Sequence, residues 1–351
     1  MHFCRVRAAA CVGSVLSLIV ALPALAADTS LGPARRDDDG HFLNEAGVLR
    51  QAGLRVTFPF FLRRAAGRFR TRPGAPERVP NDGAFLRENA VHSVPTVTWI
   101  GHATLLVQMG GVSFLTDPTW SNTASPVSFL GPRRFVAPGL SLDALPPIDF
   151  VLVSHNHFDH LDLGTLKRLA ERDGDTRFLV PLGNVALLRK NGIVAVEEFD
   201  WGERVTIGRV TVHCLPAQHW SRRGPRDFQR ALWASWAVTG SERRFYFGGD
   251  TGYFAGFKRI GEALGPFHLA ALPIGAYEPQ AMMRPYHLDP EQAIQAALDV
   301  RARRALGIHF GTFDLSDEPL DEPARRFRAA ADRTSLAREA WVLRIGETRE
   351  F

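Results

Sequence analysis

Four side chains able to bind a metal fall within six residues, His155-x-His157-x-Asp159-His160, directly after the apolar run Asp149-Phe150-Val151-Leu152-Val153-Ser154. Imidazole and carboxylate are the usual ligands of Zn2+ and related divalent ions, and such a group is costly to place together without a use. A regular strand would split alternate side chains between its two faces. The cluster therefore calls for a loop at the end of a buried strand, aimed at two neighbouring points. Its density suits two ions about 3.5–4 Å apart that share and activate one water.

Three downstream residues also follow apolar stretches and can complete the set: His219, Asp250 and His309. Gly248-Gly249 ahead of Asp250 permits close backbone approach. Pattern alone leaves the role of each of the three open. Asp117, in Thr116-Asp117-Pro118, reads as a turn former or a partner behind the ligands, and Asp162 as a helix start or hydrogen-bonding partner. His102 reads as a supporting or structural residue.

Around these residues strands and helices interleave. Val97–Ile100, Thr104–Val107 and Val112–Thr116 are strand-like, with a turn at Gly110-Gly111. Leu161–Arg172, Gly256–Leu264 and Pro290–Arg301 have helical spacing, while Arg177–Val180, Val205–Leu215, Leu232–Thr239, Arg244–Phe247, Leu269–Ile274 and Ala305–Ile308 read as strands. That alternation predicts a layered α/β domain over residues 96–351.

Residues 1–26 read as a secretory signal: Arg5 and Arg7, an apolar stretch from Ala8 to Leu22, then Ala24-Leu25-Ala26. Export to the periplasm or envelope of a Gram-negative-type bacterium is the expectation. Its removal takes two arginines from a formal charge of +5, leaving +3, which does not point to nucleic acid. Cys4 and Cys11 would leave with it, so Cys214 would have no internal disulfide partner. Residues 27–95 form an arm poor in strand signals. Within it, 50–72 carries seven arginines, no acid and the cluster Phe58-Pro59-Phe60-Phe61-Leu62. That stretch can lie on an anionic membrane surface; the plainer expectation is aromatics packed on the core with solvated arginines.

His-x-His-x-Asp-His is the signature of the metallo-β-lactamase superfamily, which the chain resembles. Over roughly seven tenths of its length it is similar to one branch, the phospholipase D enzymes that hydrolyse N-acyl-phosphatidylethanolamine. The matching stretches include Trp99-Ile100-Gly101-His102-Ala103-Thr104, Gly249-Asp250-Thr251-Gly252-Tyr253, Pro273-Ile274-Gly275-Ala276-Tyr277-Glu278-Pro279 and Ile308-His309-Phe310-Gly311-Thr312-Phe313. The resemblance implies a four-layer αβ/βα sandwich with an irregular N-terminal arm and a homodimer. It also implies that His155, His157 and His219 hold one ion, that Asp159, His160 and His309 hold the other, and that Asp250 bridges them. Catalysis would rest on Asp159, Asp250 and His287, the last contacting phosphate or protonating the leaving group, with a metal-bridging hydroxide attacking phosphorus. His-rich ligation favours two Zn2+, and Fe2+ or Mn2+ suit the same donors.

Near the site the chain departs from the branch's mammalian pattern: Phe158 stands for tyrosine, Tyr286 for glutamine and Gln280 for arginine. These changes bear on the substrate. The leading expectation is phospholipase D-type cleavage of N-acyl-phosphatidylethanolamine or a related glycerophospholipid. The alternatives are a same-fold hydrolase of a lactone or soluble phosphodiester, and a non-catalytic metal-binding envelope protein.

Overall fold

A computed structural model describes residues 31–49, 52–67, 73–127 and 131–351. The expected leader lies outside these residues, as do Arg50, Arg68, Arg70 and Arg72 of the basic stretch.

Two seven-stranded mixed sheets face each other. The first holds β1 (Thr96–Gly101), β2 (Thr104–Met109), β3 (Val112–Thr116), β4 (Phe150–Leu152), β5 (Arg177–Pro181) and β6 (Val196–Phe199). The second holds β7 (Arg204–Ile207), β8 (Val210–Leu215), β9 (Ser235–Thr239), β10 (Arg244–Phe247), β11 (Leu269–Pro273), β12 (Ala305–Ile308) and β13 (Ala340–Trp341). The last strand, β14 (Thr348–Glu350), returns to the first sheet and pairs antiparallel with β1. Each sheet thus runs through three antiparallel pairings and then three parallel ones.

The apolar run of β4 is continuous because both of its faces are covered. Phe150 and Leu152 join the core between the sheets, while Val151 and Val153 point to the outer layer. That layer consists of helices Ala84–His92, Leu163–Arg172 and Val185–Lys190, which contribute Leu86, Leu166, Leu169 and Leu188. On the far side, helices Gly256–Leu264, Pro290–Asp299 and Glu322–Ala331 bury Phe257, Ala293 and Phe327 against the second sheet. The result is the expected four-layer α/β sandwich. Burying each large aliphatic or aromatic side chain contributes about 1.5–3 kcal/mol relative to exposure. Cys214 is buried in β8, and burial pushes its thiol up, away from reactivity.

The segment ahead of Thr96 holds more order than its composition suggests. It contains the helices Leu54–Gly67 and Ala84–His92, and it buries Phe42 and Phe60. Pro59 lies inside the first helix, where it costs a backbone hydrogen bond. The expectation of packed aromatics and solvated arginines holds only in part. Phe60 is buried, but Leu54, Phe58, Phe61 and Leu62 are 59–83% exposed. Arg63 pairs with Asp317 at 2.5 Å, and Arg64 pairs with Asp314 while donating to the Ser316 carbonyl at 2.7 Å. The helix is thereby pinned to the loop that follows His309. Among the described helices none is long and apolar enough to cross a membrane.

Candidate metal centre

The C-terminal ends of β3, β4, β8, β10, β11 and β12 open onto one edge of the sandwich, the place where open α/β sheets present ligand sites. The loops leaving them carry Asp117, residues 154–160, His219, Asp250, His287 and His309 in turn. Four of the seven non-glycine residues with positive φ among the described residues lie there: His102, Asp117, Ala276 and His309. Backbone strain of this kind persists where the surroundings over-determine it. Close approach is equally demanding at Gly249, where a Cβ would meet Ser154 Cβ at 2.6 Å.

Asp117 organises the loop after β4. The Ser154 N–H donates to Asp117 Oδ1 at 2.6 Å, and the Ser154 hydroxyl donates to Oδ2 at 2.6 Å. His160 Nδ1–H donates to the same Oδ2 at 2.7 Å. With the Ser154 proton committed, its oxygen accepts from His155 Nδ1–H at 2.9 Å. One buried carboxylate thus engages the Nδ1 atoms of two imidazoles, directly or through Ser154, and leaves both Nε2 atoms facing inward. His219 is set the same way, through Nδ1–H donated to the Tyr286 carbonyl at 2.9 Å. The Asp162 side chain caps helix 163–172, accepting from Gly164 and Thr165 N–H, as a helix start should.

The seven expected ligands come together as two groups with a carboxylate between them. In the first, His155 Nε2 and His219 Nε2 lie 2.8 Å and 3.3 Å from His157 Nδ1. Three ring nitrogens this close cannot all be satisfied by protons shared among themselves, whereas a cation at their centre would satisfy all three. In the second, His160 Nε2 and His309 Nε2 are 3.1 Å apart, with Asp159 Oδ2 at 3.3 Å and 3.6 Å from them. Asp250 lies 3.1 Å from both His160 Nε2 and His309 Nε2, and 4.0 Å and 3.9 Å from His155 and His219. The donor set fits divalent cations: mixed imidazole and carboxylate, buried, with tautomers fixed from behind. His102 Nε2 is 2.9 Å from Asp159 Oδ2, and burial lowers its pKa to about 3. It is therefore a neutral donor that orients Asp159, in line with a supporting role. His287 lies on the open side, its Nδ1 3.9 Å from Asp250 Oδ2.

The two groups differ in charge. Burial, with the neighbouring imidazoles, holds His155 and His219 well below the usual range, and burial brings His157 to about 4. Burial works against protonation in the other group too. There, however, Asp250 and Asp159 hold His160 well above that range and raise His309 to about 9. Metal must displace those protons. Loading the metal-free chain at pH 7 is expected to release about two protons, falling off above about pH 9. Calorimetry in buffers of different ionisation heat measures this, and release near zero would refute it. Because both folded values are raised, the same protonation stabilises the metal-free fold below the unfolded histidine pKa and is lost as pH rises through about 9.

Several contributors had no signal in the sequence. Asn44, from the arm, brackets the His219 peptide: its Nδ2 donates to the carbonyl at 2.9 Å and its Oδ1 accepts from the N–H at 2.9 Å. Gln218 donates from Nε2 to the Pro285 carbonyl at 3.0 Å, tying the His219 loop to the one carrying His287. Arg223 donates to the Asn156 and Leu161 carbonyls at 2.8 Å and stacks over Phe158 at 4.0 Å.

The centre forms the floor of a cavity of about 630 Å³. Phe60 and Phe61 of helix 54–67 line it together with Met282, Met283, Trp220 and Phe228. His157, Asp159, Asp250, His287 and His309 face into it. Of the three departures from the mammalian pattern, only Tyr286 lines this cavity; Phe158 turns to Arg223 and Gln280 opens the short helix Gln280–Met283.

The profile of the Beta-lactamase superfamily domain matches residues 113–310. The N-acyl-phosphatidylethanolamine-hydrolyzing phospholipase D 1 of Caenorhabditis elegans is 46% identical over 278 residues, covering 73% of this chain and 78% of that protein. A UPF0173 metal-dependent hydrolase of Methanopyrus kandleri is 29% identical over 257 residues, 72% of this chain and 99% of the other. Among solved structures, the metallo hydrolase Igni18 of Ignicoccus hospitalis superposes with a TM-score of 0.55 at 24% identity, over 74% of this chain and 98% of that one, and so shares the fold.

Proposed function

The chain belongs to the β-lactamase superfamily and is a metal-dependent hydrolase, and from that premise we propose that it cleaves phosphodiesters in the manner of a phospholipase D, with N-acyl-phosphatidylethanolamine or a related glycerophospholipid as substrate. The observation that carries this reading is the cavity: four of the seven candidate metal ligands, His157, Asp159, Asp250 and His309, on its floor, and an apolar lining that continues onto the exposed face of helix 54–67. The relative of known activity supports the bond chosen.

His155, His157 and His219 would hold one ion, Asp159, His160 and His309 the other, and Asp250 would be shared. When bound, two such ions supply Lewis acidity toward the phosphoryl oxygens and a water acidic enough to ionise near neutral pH. Among these donors Zn2+ is our choice over Fe2+ or Mn2+. Asp117, Ser154, His102 and the Tyr286 carbonyl keep the ligand atoms turned inward. His287, brought down to about 4 by burial, is neutral at pH 7. That favours a hydrogen bond from it to the bound phosphodiester over protonation of the leaving group.

Leu54, Phe58, Phe61 and Leu62 follow helical spacing, and Phe61 belongs both to this exposed stripe and to the cavity wall. We extend the proposal to a membrane contact through this stripe, on an exported, envelope-associated protein. Since Arg63 and Arg64 are already paired with carboxylates, apolar insertion outweighs charge in it.

The test offers zinc-loaded protein N-acyl-phosphatidylethanolamine vesicles, bis(p-nitrophenyl) phosphate and a homoserine lactone. Release of N-acylethanolamine is expected. A Phe58→Ser/Phe61→Ser variant should lose most vesicle turnover while keeping the soluble diester. Turnover of the lactone alone would sink the phosphodiesterase reading, and unchanged vesicle turnover in the variant would remove the membrane contact.

A further inference from the structure

Four imidazoles turn Nε2 toward the metal centre: His155, His160, His219 and His309. Three of them have Nδ1 engaged from behind, by the Ser154 hydroxyl, Asp117 and the Tyr286 carbonyl respectively. His309 is the exception. Its backbone is held, with a φ of 61° and its N–H donated to the His102 carbonyl at 3.0 Å. Its ring is not: Nδ1 is buried and has no partner among the described residues. A neutral imidazole that offers Nε2 to a metal carries its proton on Nδ1, so a buried donor needs an acceptor. Native structures seldom leave such a group unpaired.

Against His309 lies a small cavity of about 20 Å³. One ordered water needs about 10–15 Å³ and at least two polar partners. The lining is apolar or glycine except at His102, His309, Ser316 and Glu318. Glu318 is the one acid among them, and it is buried. Its carboxylate accepts from the Ala276 N–H at 2.6 Å, the Glu278 N–H at 3.1 Å and the Ser316 hydroxyl at 2.6 Å. Both oxygens thus serve as acceptors. A water in the cavity can donate to them while it accepts from His309.

We propose that one buried water in this cavity bridges His309 Nδ1–H to the Glu318 carboxylate, making Glu318 a positioning residue for the ion held by Asp159, His160 and His309. The bridge does for His309 what Asp117 does for His160, with a water taking up the distance. Partners of this kind orient a ligating imidazole and raise its basicity, and losing one weakens metal binding about 10–100-fold. The inference rests on the ligand assignment proposed above and is independent of the substrate.

The first test is a crystal structure of the zinc-loaded full chain. A water within about 3.2 Å of both His309 Nδ1 and a Glu318 carboxylate oxygen is expected. Metal on His309 Nε2 without that water would overturn the bridge alone. No metal on His309 would overturn the ligand assignment and the bridge together. The second test is NMR of the zinc-loaded protein with isotope-labelled histidine. His309 Nδ1 should carry a proton, and its resonance should move in Glu318→Gln; an unprotonated Nδ1 would refute the bridge. The third is a zinc competition titration of Glu318→Gln. One of the two sites is expected to weaken about tenfold while the other stays within about twofold. Equal weakening of both, or of neither, would reduce Glu318 to a support of the 276–278 turn. If Glu318→Gln fails to fold, the water and the Nδ1 proton of the unaltered protein decide the matter.

Discussion

Replacing Asp250 with asparagine is expected to lower kcat/KM by about a thousandfold or more, a loss of at least about 4 kcal/mol of transition-state stabilisation. Among the donors, Asp250 has carboxylate oxygens within 3.1 Å of His160 and His309 and about 4 Å of His155, His219 and His287. Asparagine matches its size and leaves the buried packing intact, so the fold should persist. What disappears is the negative charge placed between the two groups. In the metal-free chain that charge helps keep His160 and His309 protonated; in the loaded one it would be shared by both ions. Elemental analysis should find fewer than two metal ions per chain in Asp250→Asn. A variant with full metal content and undiminished kcat/KM would show that the carboxylate does not join the two groups.

The second large effect is expected at a residue that contacts no substrate. Asp117→Asn should cost about 3–5 kcal/mol of stability, because the charge opposite His160 is lost inside a fully buried site. It should also weaken metal binding about 10–100-fold. Asparagine can accept through only one of its two terminal atoms, whereas Asp117 accepts from Ser154 N–H, Ser154 Oγ–H and His160 Nδ1–H through both. The misplaced NH2 group would then face a donor, and the tautomers of His155 and His160 would no longer be dictated. Denaturant unfolding and metal competition titration give the two numbers separately. A fall in stability with unaltered metal affinity would reduce Asp117 to a turn former.

The metal loop was legible in the sequence because its chemistry is local. Four candidate ligands after one apolar run can be read from spacing, and the strand–loop rule then places them at a sheet edge. His219, Asp250 and His309 follow the same rule from strands of the second sheet, yet nothing local says that the two sheets bring them together. Pairing across the sandwich is long-range information, and the family resemblance supplied it. Asn44 illustrates the limit: its partner is 175 residues away, and an asparagine in an arginine-rich arm carries no mark of that role. Helix 54–67 was hidden for another reason. Pro59 reads as a break, and the exposed stripe at 54, 58, 61 and 62 mimics the pattern of a core-facing surface while pointing outward. Phe158 shows the reverse: a conspicuous departure inside the metal motif lies against Arg223 and leaves the cavity wall unaltered.

The cavity is assembled from two sources of different kinds. Its floor comes from strand ends locked into two sheets, and part of its roof from a helix ahead of the first strand, held chiefly by Arg63, Arg64 and Phe60. Hardware and interface are thus separable. The catalytic floor tolerates almost no redesign, because each ligand is aimed by partners behind it. The roof can be exchanged by altering a short stretch of chain with modest structural demands. New substrate ranges on this scaffold should therefore arise by rewriting the lead-in segment while the reactive centre stays fixed. The Asn44 clasp on His219 is the seam that such rewriting has to respect.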